Sequence, residues 1–357
     1  MEFGVFFFSA SGEEAAQTYR MVLAAARRAD ELGLEFVSTP ERHFHPFGGA
    51  FPNPAVMSAA IAAVTERVRI RAGSVVTPLH PVARVVEDFA MVDCLSGGRV
   101  DIAIGSGWNV NDFTLAPAEY EGRRERVVDD IATIREVWRT GAWSGVNPHG
   151  DPVRLDVHPR PVGAELPIWT TASRSPETFR RAGELGTNLL THLENQDLDA
   201  LADKVDGYRE ARADHGWPGR GKVTLMLHTC VGASSAEAEQ LAGPWLKRYL
   251  LTAIDLEAAA VRSGGTMSGG KRGRDFMSSR RGRDKLAELG VNRYLDGASL
   301  IGSVADCAEV VRRAERAGVD EIACLVDFIG DRDAVLAGVE RIAELRRVTA
   351  GEAVVGR

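Results

Sequence analysis

The sequence predicts an α/β barrel of eight parallel strands, each followed by a helix. Strand-like and helix-like segments alternate almost from end to end, an order that gives a parallel sheet. The count is about eight such units, the number that closes into a (β/α)8 TIM barrel. Residues capable of chemistry cluster just after the strand-like segments, where such barrels build their active sites. An open doubly wound sheet is the competing architecture. Its Gly-x-Gly-x-x-Gly signature belongs after the first strand. The nearest match, Gly105-Ser106-Gly107-Trp108-Asn109-Val110, follows the fourth strand and lacks the third glycine. A nicotinamide dinucleotide fold is rejected on that ground.

Glu2–Phe8 reads as the first strand, followed by a helix from about Glu13 to Leu32 that Gly33 closes. Phe36–Thr39 is the second strand, and the helix after its loop runs from Pro54 to about Val64. The β-branched run Val68–Val76 is the third, with helix Pro81–Leu95 closed by Gly97-Gly98. Val100–Ile104 is the fourth, followed by helix Arg123–Trp138 with apolar residues at helical spacing. The proline-bearing stretch Ala142–Pro161 is an insertion with room for a small hairpin. Pro167–Thr171 and helix Pro176–Leu185 come next, then Asn188–Thr191 and helix Leu198–Asp214. Val223–Val231 is the seventh strand, and a long helical stretch, Ala236–Ala260, leads into the glycine- and serine-rich Ser263–Gly270. Structure resumes by about Lys285, with helix Asp306–Ala317, strand Glu321–Asp327 and a last helix, Asp331–Arg347. The insertions therefore follow strands four and seven, within one domain over residues 1–350. The segment 261–285 is expected to be a mobile lid: it follows a strand on the active-site face, and its glycines and serines supply a hinge.

The totals exclude several classes. A net charge of −7 gives no global basic field for nucleic acid. The basic run Lys271–Lys285 does not change that, since the whole is acidic. No stretch has the apolar length of a membrane span, and the start lacks the basic and apolar regions of a secretion signal. Cys94, Cys230, Cys307 and Cys324 are scattered, with no Cys-x-x-Cys, as suits a reducing cytoplasm. No spacing fits a closed zinc site, so no metal is expected. Hydrolase elbows and phosphate-binding P-loops are likewise missing.

Pro40-Glu41-Arg42-His43-Phe44-His45 is the most informative segment. It places acid, base and cation together at the end of the second strand. Thr77, Pro78 and His80 follow strand three; Ser106, Trp108, Asn109 and Asn111 follow strand four; Thr170, Thr171, Ser173, Arg174 and Ser175 follow strand five. His192 follows strand six, His228 lies on strand seven and Asp327 ends strand eight. His80 and His228 read as residues that tie down loops. Ser175 is a natural N-cap and Pro176 suits the first helical turn, so the free N–H groups there form a potential anion site. Arg123, Arg124 and Arg126 open the preceding helix on the same face, which points to a phosphorylated cofactor.

The segments Thr39-Pro40-Glu41-Arg42-His43-Phe44, Thr77-Pro78-Leu79-His80-Pro81, Leu95-Ser96-Gly97-Gly98-Arg99 leading to Gly105-Ser106-Gly107-Trp108, and Arg160-Pro161-Val162 leading to Leu166-Pro167-Ile168-Trp169 resemble the luciferase-like flavin-dependent monooxygenases. The likeness runs nearly end to end. Asn111-Asp112-Phe113-Thr114-Leu115-Ala116-Pro117, Pro176-Glu177-Thr178-Phe179 and Asp320 to Phe328 make it most similar to the natural-product biosynthesis branch. The resemblance implies a barrel that binds reduced FMN and reacts it with O2 at the flavin C4a carbon to give a hydroperoxide. It places the flavin phosphate at Ser173, Ser175 and the following helix start, with Arg126 as cationic partner. It lays the ring along strand ends three to five, beside Thr77, Ser106 and Thr171, and implies a cis peptide at Gly73–Ser74. Where the family carries a histidine base, this chain has Arg42, which takes up no proton, and the second histidine is His43. Gly105 replaces the reactive cysteine of light-emitting members, and Asn109 stands where the branch has histidine.

On this reading His43 is the acid/base or peroxide donor, and Arg42 and His192 are electrostatic or substrate contacts. The substrate is a small molecule or a carrier-tethered intermediate. Reduced FMN comes from a separate flavin reductase, an acyl or peptidyl carrier protein is a possible partner, and a homodimer is implied. Two alternatives stand beside it: an F420-dependent hydride-transfer oxidoreductase, and a flavin-binding protein without turnover.

Overall fold

The computed structural model describes residues 1–8, 15–194, 196–265 and 279–351. The strands in chain order are β1 (Glu2–Phe6), β2 (Phe36–Thr39), β3 (Arg69–Val76), β4 (Val100–Gly105), β5 (Ala142–Val146), β6 (Pro152–Asp156), β7 (Ile168–Thr171), β8 (Asn188–His192), β9 (Val223–Gly232), β10 (Leu300–Ser303) and β11 (Glu321–Leu325). The helices are α1 (Ala15–Glu31), α2 (Pro54–Ala62), α3 (Val82–Ser96), α4 (Arg123–Thr140), α5 (Pro176–Glu184), α6 (Leu198–Asp214), α7 (Ser235–Arg262), α8 (Arg280–Leu295), α9 (Val304–Arg316) and α10 (Arg332–Thr349). β1, β2, β3, β4, β7, β8, β9 and β11 pair in that order, and β11 returns to β1. Every one of these pairings is parallel, so the sheet is a closed eight-stranded barrel. All its strand ends that carry the expected site residues lie on one face.

The strands read as continuous apolar runs because both faces are covered, the inside by facing strands and the outside by helices. Two larger apolar clusters lie between sheet and helices. One is centred on β1, β9, β11, α1, α6 and α10; the other lies beneath α3 and α4. The barrel interior needs glycine in places. A Cβ at Gly4 would sit 2.3 Å from the Phe36 ring, so only glycine lets that ring fill the interior.

The barrel floor departs from aliphatic packing. Arg71 lies there between the rings of Phe36 and Trp169, at 4.1 and 3.7 Å from their centroids. Its Nη1 donates to Glu321 at 2.7 Å and its Nη2 to Asp101 at 3.3 Å. Thr224 Oγ1 donates to Glu321 at 2.5 Å and accepts from Trp169 Nε1 at 3.0 Å. Burial pushes the Glu321 carboxyl up, but Arg71, Thr224 and Lys222 outweigh it and hold it down at about 2.

Both insertions are present. β5 and β6 form an antiparallel hairpin after α4. After β9 come α7, α8 and β10, and β10 adds in parallel to the outer half of β9, from Leu300–Thr229 to Ser303–Gly232. The sequence reading passes over β10, because four residues between two helices carry no period-two signal. The expected lid falls largely on 266–278, which lie outside the described residues. The peptide Gly73–Ser74 is cis, where the resemblance puts one. Among the described residues no helix is long and apolar enough to cross a membrane.

Candidate active site

The loop after β2 turns the chain over the barrel mouth. Arg42 N–H donates to Phe51 O at 3.0 Å, and Gly48, at φ +74°, makes the return bend. This fold-back buries Glu41 and Arg42 while leaving Phe44 exposed. Glu41 is the hub. Its Oε1 accepts from His43 Nε2 at 2.9 Å and from His80 Nε2 at 2.6 Å, and its Oε2 accepts from Val76 N–H at 2.7 Å. Burial alone would raise the Glu41 carboxyl; the hydrogen bonds from the two histidines outweigh it and hold the group below its ordinary value. His80 is drawn down by partial burial but raised overall by Glu41 and by Asp88. The reading of His80 as a loop tie is therefore incomplete, since it shares a carboxylate oxygen with His43.

Arg42 points the other way. It lies between the Phe8 ring and the exposed Trp108 ring, 5.7 and 5.2 Å from their centroids, and its Nη1 donates to Asp112 Oδ2 at 3.3 Å. Asn109 Nδ2 donates to Asp112 Oδ1 at 2.7 Å, and both residues are buried. Burial raises the Asp112 carboxyl, against the pull of Arg42. Among the described residues the buried Arg42 Nε has no hydrogen-bond partner. Unpaired buried donors are uncommon, and this one leaves the guanidinium with a hydrogen bond to give.

The strand ends β3, β4 and β7 bring hydroxyls together. Ser74 Oγ and Thr171 Oγ1 lie 2.5 Å apart. Thr77, in the turn after β3, is buried, and Ser106 is half-buried next to Gly105 and Gly107. Ser175 occupies the N-cap position of α5, with Pro176 in the first turn, but its hydroxyl makes no capping bond. The expectation of a capping serine is corrected to that extent. Ser173 and Ser175 thus leave hydroxyls and a helix start for an anion. Arg126 bonds Glu119 at 2.5 Å, the His80 carbonyl at 3.2 Å and lies 3.6 Å from Asp130. From the first turn of α4 it reaches the His80 loop.

His192 belongs to a second group across the mouth. Its Nδ1 accepts from Glu194 N–H at 3.2 Å, and Glu194 lies 3.9 Å from Arg174. Burial lowers the His192 imidazole, with Glu194 opposing and Arg174 and Arg293 adding to the fall. His228 lies beneath, buried among Tyr294, Tyr249 and Phe328, with ring centroids at 4.5, 4.9 and 5.5 Å. Among the described residues its Nε2 has no partner, and burial pushes the imidazole down to about 3. It meets the turn after β11 through ring packing on Phe328. Tyr249 of α7 links the two groups: it packs on His228 and on Phe47, and Arg42 and Glu194 both act on its phenol. Asp327 accepts the Phe8 N–H at 2.8 Å and so fixes the end of β1.

The mouth therefore holds a carboxylate with two imidazoles, an arginine with a spare donor, a row of hydroxyls, and a helix start flanked by serines. The family described as luciferase-like monooxygenase matches residues 1–321. The chain belongs to that family. Among relatives, the alkanal monooxygenase alpha chain of Aliivibrio fischeri is 23% identical over 351 residues, 96% of each chain. The oxygenase component of a flavin-dependent trigonelline monooxygenase from Acinetobacter baylyi is 28% identical over 230 residues, 62% of each chain. An F420-dependent glucose-6-phosphate dehydrogenase of Amycolatopsis mediterranei is 31% identical over 197 residues, 52% of this chain and 57% of its own. The FMN complex of the oxygenating constituent of 3,6-diketocamphane monooxygenase from Pseudomonas putida superposes with a TM-score of 0.77 at 18% identity, covering all of both chains. That last likeness is one of fold. As a luciferase-like monooxygenase family member the chain is an enzyme, and its family uses flavin or F420.

The sequence reading names Asn109 and quotes Asp112 within a motif, yet assigns neither a task. Their task is a contact across the mouth, which only the closed barrel creates. Tyr249 is likewise missed, since inside a long helix it reads as ordinary core.

Proposed function

We propose that this chain is the oxygenase component of a two-component monooxygenase, using reduced FMN and O2 to oxygenate a small-molecule or carrier-tethered intermediate in natural-product biosynthesis. The observation that carries the proposal is the set Glu41–His43–Arg42 at the barrel mouth, opposite hydroxyls and a helix start suited to a flavin phosphate. The relatives named as flavin-dependent monooxygenases support it. On this reading Ser173, Ser175 and the α5 start bind the phosphate, with Arg126 as its cationic partner. Thr77, Ser106 and Thr171 line the ring. The bound reduced flavin would supply the oxygen activation.

The protein residues then do the following. Arg42, with its unpartnered Nε, stabilises a developing anion. His43, oriented through Nε2 by Glu41, holds or moves a proton at Nδ1. The loop fold-back leaves the His43 side chain only 10% exposed, which limits water at that proton. His192 contacts the substrate from the far side. A separate reductase supplies reduced FMN, and a carrier protein presents any tethered substrate.

The F420 relative favours a second reading, hydride transfer without oxygen. Anaerobic and aerobic incubations decide between them. Oxygen uptake coupled to product with reduced FMN supports the monooxygenase; bleaching of F420 with no need for oxygen sinks it. His43→Ala is expected to lower coupled product formation by about 100-fold or more, while flavin binding in a titration stays within a few-fold. Unchanged coupled turnover would remove His43 from the mechanism.

A further inference from the structure

Glu41, His43 and His80 together carry a consequence for how protons leave the site. One carboxylate oxygen, Oε1, receives both Nε2 atoms. A carboxylate only accepts, so both imidazoles must carry their hydrogens on Nε2. That assigns the neutral tautomer: each ring, when uncharged, has its lone pair on Nδ1, and Nδ1 is where a second proton adds. Among the described residues neither Nδ1 has a hydrogen-bond partner. The exposures differ, with the His43 side chain 10% exposed and that of His80 31%. One ring faces the sheltered pocket and the other reaches water.

We propose that Glu41 and His80 are positioning residues that let His43 pass a proton to solvent by charge exchange, one imidazolium at a time. This rests on the reading of His43 as the acid/base group. The single negative charge of Glu41 balances one imidazolium, and two cations on one oxygen repel each other. In the resting state His80 carries the extra proton. When His43 Nδ1 takes a proton from the reacting group, an N–H bond forms there. The Nδ1–H of His80 then breaks and its proton goes to water. Glu41 remains an anion, no electrons move, and the charge of the trio is unchanged. The reverse sequence delivers a proton to the pocket.

The surroundings agree. Asp88 of α3 faces His80 and favours its cation. Arg126 of α4 meets His80 at its backbone carbonyl and is itself paired with Glu119 and Asp130. Near His43 stand Arg42 and Asp112, which are paired with each other and so largely offset. Val76 N–H holds the other Glu41 oxygen, fixing the hub.

The test is an NMR titration of protein labelled with 15N-histidine, without flavin, with His43→Gln and His80→Gln providing the assignments. In the unaltered protein both rings are expected as Nε2–H tautomers at high pH. His43→Gln keeps a donor to Glu41 but removes the competing cation. The His80 midpoint, already raised by Glu41, should then rise further by about one pH unit. An Nδ1–H tautomer at His43, or an unmoved His80 midpoint in His43→Gln, overturns the proposal. The tautomer is read on the unaltered chain, so the test survives a variant that does not fold. Because no flavin is present, failure here is distinct from a failure to oxygenate with reduced FMN.

Discussion

His228 shows what a single buried side chain does to the molecule. It is enclosed by three aromatic rings with Nε2 unpartnered, and its folded-state value of about 3 lies below the ordinary 6.5. Below pH ~6.5 the unfolded chain binds a proton that the folded chain refuses, so stability falls as pH drops toward 3. At pH 4 this amounts to roughly 3 kcal/mol. His228→Phe should remove that loss: relative to the unaltered protein it gains stability between pH 7 and pH 4. Urea midpoints at the two pH values measure it, and equal losses in both proteins would disprove the assignment. Residues of this kind mark where sequence reading stops. Glu41, Arg42 and His43 were legible because they are contiguous and chemically conspicuous. Their partners His80 and Asp112 lie 39 and 70 positions away. Nothing local distinguishes a histidine that shares a carboxylate from one that pins a loop.

At the scale of elements, the strand and helix alternation was readable because each segment is long enough to show its period or its punctuation. The eight barrel strands lie where alternation puts them, with shifts of at most two residues at the ends. β10 was not readable, since its four residues owe their conformation to an edge that β9 offers beyond the barrel. Helix starts divide in an instructive way. Asn53, Asp197, Ser234, Ser279, Ser303 and Asp331 all accept a backbone N–H from the first turn. Ser175 does not. Asp331→Ala should therefore cost about 1 kcal/mol, while Ser175→Ala should leave the melting temperature within a degree or so. If the α5 start holds the flavin phosphate, Ser175→Ala should instead weaken reduced-FMN affinity several-fold. Paired thermal melts and flavin titrations separate the two. A Ser175→Ala protein that loses stability as Asp331→Ala does, with flavin affinity intact, would make that serine an ordinary cap.

For the whole molecule, the question is what holds eight strands in one closed ring, given an interior floor that is charged. Arg71 on β3 reaches Asp101 on β4 and Glu321 on β11, while Thr224 on β9 and Trp169 on β7 complete the set. Lys222 ties the same carboxylate to Glu2 at the start of β1. Strands from all around the ring thus meet at one guanidinium. A buried ion pair gives little net stability over an apolar replacement, but removing one partner strands the other charge. Arg71→Met should cost about 3–5 kcal/mol, whereas Arg71→Met with Glu321→Gln should recover part of it. The pH signature follows from Glu321, whose folded-state value of about 2 lies below its ordinary 4.5. Its contribution is present above pH ~4.5 and is lost as pH falls toward 2. Arg71→Met raises the folded-state value and so flattens that acid limb. Urea unfolding of the single and double variants between pH 3 and pH 7 measures both effects. A single variant that loses less than about 1 kcal/mol, or keeps the full acid limb, would mean that barrel closure depends on the backbone ladder and apolar packing, with the floor charges as passengers.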